Sequence, residues 1–330
     1  MRQGLEGSQS IGSFHFESGD RLDDLRVGYV THGQLDPEAS NAVLLLPGTA
    51  NTRHSADGYI GAGLALDPDR EFIIAVDAIG AGTSSQPADG LRSAFPRYSI
   101  RDMVHAQYRL ITDHFGLRGL KAVIGASMGA FQALEWAIHY PSMMRRAVLL
   151  VPAARSGEVF RGVVDTALSA IRLDPAWNDG DYQRSPEGGL RMAGRIYYPW
   201  TVTDRWIEQS APAAIERERH DTVERAAGWD AWNFIRRYEA SAVHDVATPF
   251  GGDLGLALGQ VQARTLVMPS SSDRLLPVAG ARVLASMVRH AHYLEIPSLR
   301  GHLGWRAVRG APETRFINEA VRRFLDQGAP

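Results

Sequence analysis

Cysteine is absent from the 330 residues. That removes disulfides, thiolate metal sites and a cysteine nucleophile together. Long hydrophobic runs are also missing. The longest, "AVLLLP", "EFIIAV" and "RAVLLVP", fall far short of a membrane span. The opening "MRQGLEGSQS" has no apolar core after its arginine, so it is not read as a signal peptide. Charge of one sign is lacking too. The formal net charge is −2 and basic residues occur in short groups only, which argues against nucleic acid and anionic membrane as partners. No P-loop and no H-E-x-x-H is found, and no carboxylate–histidine cluster has metal spacing. The "GAGTSS" at 80–85 lacks the further glycine and the ribose-binding acid of a dinucleotide site. The expectation is a soluble, cytoplasmic protein with no metal and no cofactor.

What is present is a large apolar fraction, 45%, enough for one α/β domain with an insertion or for two ordinary domains. "GSFHFES" and "RVGYVTHG" alternate as half-exposed antiparallel strands do. Solid apolar runs follow at Ala42–Leu46, Phe72–Val76, Ala122–Ile124, Ala147–Val151, Thr265–Met268 and Tyr293–Ile296. Such runs suit parallel strands covered on both faces. Helical patterns separate them at Ile100–Phe115, Met128–Tyr140, Leu275–Val288 and Glu313–Leu325, and Ser99 with Asp102 spells a capping box for the first. The alternation predicts a doubly wound, mostly parallel sheet. Residues 153–262 break the rhythm. They are mostly helical in pattern and hold five of the seven tryptophans (Trp177, Trp200, Trp206, Trp229, Trp232). The reading is a core of 1–152 and 263–330 with a helical lid inserted at 153–262. The aromatics either form the lid's own small core or face a pocket.

The chemistry centres on "GASMG", Gly125 to Gly129. It matches G-x-S-x-G and stands between a strand and a helix, the setting that this motif requires. Side chains at 125 and 129 would collide where strand and helix cross. The helix start turns free N–H groups and partial positive charge toward Ser127, and the Met128 N–H is placed for a developing oxyanion. A serine nucleophile needs a base, and the base an orienting acid. In the order Ser, Asp, His, "RTLVMPSSSDRLLP" offers Asp273 and "HYLEIPSLRGHLGW" offers His302. The interval between them leaves room for one helix. His54 is the nearest rival base. Asp245, Asp253 and Asp77 are the rival acids, the last read as part of a structural strand-end turn. The second oxyanion donor is expected from "LLLPGTANTRH": Gly48 frees the turn and the Thr49 N–H donates. Arg53 is a further candidate for substrate contact.

With these residues in view, the chain resembles the homoserine O-acetyltransferase family of the α/β-hydrolase superfamily. The resembling stretches are "SIRDMVHAQYRLI", "IGASMGAFQALEWAIHYP", "LDPAWNDGDY", "SSSDRLLP" and "YLEIPSLRGH", in the family's order across roughly residues 95–305. The resemblance implies an α/β-hydrolase fold with a mostly parallel eight-stranded sheet and a helical lid. It also implies a Ser127–Asp273–His302 triad, an acyl-serine intermediate, and a homodimer built through the lid. The departures are specific. Leu303 stands where the family places an aspartate that holds the substrate ammonium. Gly194 stands where it places a carboxylate-clasping arginine, with Arg195 one residue away. Leaving the ammonium unpaired would forfeit a charge-assisted bond of about 1.5–3 kcal/mol. The expectation is therefore a serine carboxylesterase for small neutral esters with short acyl groups such as acetate. The alternatives are an acetyl-CoA-dependent homoserine O-acyltransferase and a non-catalytic binding protein on the same fold.

Overall fold

The computed structural model describes residues 4–327. Eight strands form one sheet: β1 (Leu5–Ser10), β2 (Arg26–His32), β3 (Ala42–Leu46), β4 (Phe72–Val76), β5 (Ala122–Ala126), β6 (Arg146–Leu150), β7 (Arg264–Met268) and β8 (Ala291–Tyr293). Their order across the sheet is β1-β2-β4-β3-β5-β6-β7-β8. β2 runs antiparallel to both neighbours, and every other pairing is parallel. The solid apolar runs are explained by two-sided burial. Along β3, Leu44 and Leu46 enter one core while Val43 and Leu45 enter the other. An alternating sequence would have left one face polar.

Helix α1 (Ile100–Arg109) carries the expected capping box: the Ser99 hydroxyl accepts from the Asp102 N–H and the Asp102 carboxylate accepts from the Ser99 N–H. The expected helix over 100–115 changes to π-type winding at Leu110–His114. α2 (Met128–His139) follows β5 after Ser127 alone, and its middle is buried throughout. α9 (Val278–Met287) and α10 (Pro312–Asp326) complete the core.

Four elements differ from expectation. Of "GSFHFES", expected as a strand, only Phe14–His15 pair, with Arg21–Leu22, in a separate two-stranded ribbon. β1 was not anticipated, because "LEGSQS" is an edge strand with no apolar alternation. The last strand covers Ala291–Tyr293 rather than 293–296. It has one neighbour and its last two residues are exposed, so apolar content does not mark it; Ile296 joins Ser270 by an isolated bridge. α9 starts three residues later than the pattern suggests. Pro277 sits at its N-cap, and the Leu275 and Leu276 N–H groups are bound by the Asp273 carboxylate instead.

Between β6 and β7 lie six α-helices: α3 (Glu158–Arg172), α4 (Glu187–Thr201), α5 (Asp204–Gln209), α6 (Pro212–Ala227), α7 (Ala231–Ala242) and α8 (Leu254–Leu258). Chain leaving the sheet and chain returning to it pair with each other, Ser156 N–H to His244 C=O and Val246 N–H to Ala154 C=O. Trp177 and Trp232 pack with ring centres 4.8 Å apart, and Tyr182 stacks on Trp177. These aromatics tie the connection between α3 and α4 to α7. Trp200 is exposed.

Candidate active site

The β5–α2 turn is built by what cannot fit there. A Cβ on Gly125 would lie 2.0 Å from the Gly129 carbonyl oxygen, and one on Gly129 would lie 2.3 Å from that of Leu46. Only glycine allows strand and helix to approach so closely. Ser127 between them has φ +56° and ψ −122°, a region that a non-glycine residue enters at a cost on the order of 1–3 kcal/mol. Its C=O accepts from Ala130 and Phe131 N–H and its own N–H donates to Leu150 C=O, so the surroundings hold the strained turn. Met128 is the first residue of α2, where N–H groups have no acceptor within the helix.

Ser127, His302 and Asp273, far apart in the chain, meet here. His302 Nε2 lies 2.9 Å from Ser127 Oγ, and Nδ1 lies 2.7 Å from Asp273 Oδ2. Asp273 Oδ1 accepts from the Leu275 and Leu276 N–H groups at 2.9 and 3.0 Å. An ionised carboxylate only accepts, so Nδ1 must donate to it, which leaves Nε2 to accept the serine proton. Both Asp273 and His302 are buried. His302 sits in a short turn, Gly301–Trp305. Gly301 there has φ +60°, and a Cβ on it would meet Thr201 C=O at 2.8 Å.

The rival residues are engaged elsewhere. His54 is about half exposed and faces Asp57. Asp77 binds Arg53 and the Thr83 N–H. Asp245 faces Arg155 and accepts from Ala247 N–H, and Asp253 caps α8.

The cleft above Ser127 is lined by Gly48, Thr49, Gly194, Tyr197, Tyr238, His302, Leu303 and Trp305, with Arg225 and Arg306 also reaching it. Two expected substrate contacts are not brought to it. The Arg53 guanidinium is taken by Asp77 and Glu6 and does not line the cleft. Arg195 is exposed. Gly194 occupies the position facing inward, and a Cβ there would lie 2.8 Å from the Val223 Cα of α6. α4 and α6 are thus too close for any arginine at 194, and a one-residue shift turns Arg195 to solvent. Leu303 packs with Tyr198 and Val202.

Sequence reasoning missed Tyr197, Arg225, Tyr238 and Arg306. Burial raises the Tyr197 hydroxyl well above the usual tyrosine range, with the neighbouring Tyr238 and Asp273 adding to it. Arg306 is lowered, first by burial and then by the nearby Arg225; Glu218 pairs with Arg306 and also with Arg300. Only the position of Arg306, four residues after His302, offered a signal. No carboxylate lines the cleft among the described residues.

Residues 41–304 match the family described as the alpha/beta hydrolase fold. The chain is 34% identical to a homoserine O-acetyltransferase of Clavibacter michiganensis over 97% of its own length and 92% of the relative's. It is 32% identical to the ethyl acetate hydrolase of Pseudomonas veronii, covering 89% and 88%. Among solved structures, an acetylester hydrolase from Corynebacterium glutamicum superposes with a TM-score of 0.93 at 28% identity, over 98% of this chain and 96% of that one.

Proposed function

The chain belongs to the α/β-hydrolase family, on the homoserine O-acetyltransferase-like branch that also includes esterases, and from that premise we propose that it is a serine carboxylesterase acting on small neutral esters of short acids such as acetate. The observation that carries this reading is the Ser127–His302–Asp273 relay opening into a cleft whose wall beside the histidine is Leu303. His302 Nε2 takes the Ser127 proton as Oγ attacks the ester carbonyl. The oxyanion settles on the Met128 and Thr49 N–H groups, each worth about 10²–10³ in rate when such a donor is well placed. The C–O bond to the alcohol breaks, and the alcohol leaves with the proton from His302. Water then attacks the acyl-serine with His302 again as base, releasing the acid and free Ser127. Asp273 holds the imidazole in one tautomer throughout.

Transfer to homoserine is the second reading, and the 34% identity to an acetyltransferase favours it. Against it, a homoserine ammonium would find no carboxylate lining the cleft and an apolar side chain at 303. We read the helices of 153–262 as the lid of the cleft and as the surface of a homodimer. Exposed Leu173, Met192 and Trp200 on or beside α3 and α4 support the latter.

Ser127→Ala tests the proposal. Ester turnover and labelling by an organophosphate are both lost while the fold is kept. Labelling at another serine overturns the assignment.

A further inference from the structure

Arg237 on α7 is fully buried, at 0% exposure, yet it forms no ion pair with a carboxylate among the described residues. Its guanidinium is spent on backbone carbonyls instead. Nε donates to Thr49 C=O at 2.7 Å, and Nη2 to Gly48 C=O at 2.7 Å and Asn51 C=O at 3.2 Å. The indole of Trp229 lies against it, 5.3 Å from ring centre to guanidinium carbon. Burying a guanidinium with no carboxylate in contact, Asp77 acting on it only from a distance, is costly, and a loop needing only an anchor would be held more cheaply by an apolar side chain. Burial lowers the Arg237 pKa from its ordinary value, but an arginine does not lose its proton in a protein.

What the guanidinium grips is specific. Gly48 C=O and Thr49 N–H belong to one planar trans peptide and point in opposite directions. Holding the carbonyl therefore sets where the N–H aims. Thr49 C=O belongs to the next peptide plane, so one side chain ties both planes flanking the Thr49 Cα, sharing the Gly48 carbonyl with the Asn51 N–H at 3.2 Å. A second tie comes from one turn further along α7, where Ser241 Oγ lies 3.2 Å from Thr49 Oγ1. A charged donor on the Gly48 carbonyl also polarises the peptide and makes its N–H a stronger donor.

We propose that Arg237 is a positioning residue for the oxyanion hole: from the inserted helices it clamps the Gly48 and Thr49 carbonyls, and so aims and strengthens the Thr49 N–H. The inference rests on the esterase reading above. It makes the inserted helices part of the catalytic apparatus, because the loop after β3 is held from α7.

Arg237→Lys tests it first, because it keeps the charge but cannot bridge both carbonyls in the plane of a fork. Arg237→Gln, uncharged, is the second variant. Each is assayed with p-nitrophenyl acetate and normalised to the sites titrated by an organophosphate. The expected result is a fall in kcat per titrated site of about 10- to 100-fold, below the loss for deleting a donor outright, with KM changed less than about twofold. A trifluoromethyl ketone, whose bound form carries an oxyanion, weakens by the same factor as kcat/KM. If thermal stability or the titratable fraction falls while kcat per site and ketone affinity stay at wild-type values, Arg237 serves the fold alone and the proposal is overturned. Wild-type protein inactive on every ester would instead sink the reading on which it rests.

Discussion

Asp77 and Asp273 are two buried aspartates set just beyond the C-terminal ends of parallel strands, and they do opposite things. Asp77 follows β4, is wholly buried, and pairs with the Arg53 guanidinium while taking the backbone N–H groups of Arg53 and Thr83. Asp273 follows β7 and takes the N–H groups of Leu275 and Leu276, but its other oxygen faces the His302 imidazole. Asp77 Oδ1 accepts from the Arg53 N–H while Oδ2 takes both the Arg53 guanidinium and the Thr83 N–H, whereas Asp273 gives one oxygen to a turn and the other to the imidazole. The partner decides the role. An arginine is always charged, so Asp77–Arg53 is a static clasp between the loops after β3 and β4. An imidazole can gain and lose a proton, and here its far nitrogen touches a serine, so in the proposed mechanism the pairing at Asp273 serves a changing charge.

The comparison is sharpest in activity. Asp273→Asn leaves a folded protein whose kcat falls by about 10⁴-fold, since an amide presents the wrong partner to Nδ1. Steady-state ester kinetics beside a circular dichroism melt check this. Comparable loss from Asp245→Asn would break the assignment. Asp77→Asn should show the reverse pattern. It leaves the Arg53 charge without its buried partner and lowers stability by about 3–5 kcal/mol, while activity per folded molecule changes little; urea denaturation with titrated active sites separates the two. Leu303→Asp is expected to cut ester hydrolysis by about tenfold. It sets a desolvated carboxylate beside His302, where it competes for the imidazolium. Ester kinetics for this variant at neutral pH give the answer, and unchanged turnover would mean the Leu303 wall is immaterial.

The smallest effect concerns a buried histidine outside the relay. His244 stacks on Phe131 at 4.5 Å, and burial lowers its pKa against the opposing pull of Glu135. His105 is lowered by burial as well. A histidine depressed in the fold takes its proton more readily when unfolded. Its contribution is therefore present above the unfolded pKa of about 6.5 and is lost as pH falls below it. Urea midpoints measured from pH 7.5 to 5 should decline toward acid, and His244→Phe should make the decline shallower.

Much of the molecule is legible in its sequence because the signals are local. Burial on both faces writes central strands as apolar runs, and two steric clashes write Gly125 and Gly129 around Ser127. Asp273 and His302 stand out because each follows a strand in the order a serine relay uses. Arg237 could not be seen this way. It grips Gly48 and Thr49 from 189 and 188 residues away in sequence, and the adjacent Arg236, alike in sequence, turns to Ser93 instead. Arg53 misled for the related reason that a loop arginine near the expected oxyanion turn was free, on sequence alone, to face either the cleft or Asp77. The closeness of α4 to α6, which decides positions 194 and 195, is likewise a product of packing between helices.

The central claim is an acyl group carried on Ser127 and passed to water. It is tested most directly by quenching the wild-type protein during turnover of p-nitrophenyl acetate with homoserine present, then identifying both the modified peptide and the released products by mass spectrometry. The account predicts an acetyl group on Ser127 and acetate as the product, with no O-acetylhomoserine. Acetylation at another residue, or O-acetylhomoserine as the main product, would contradict it.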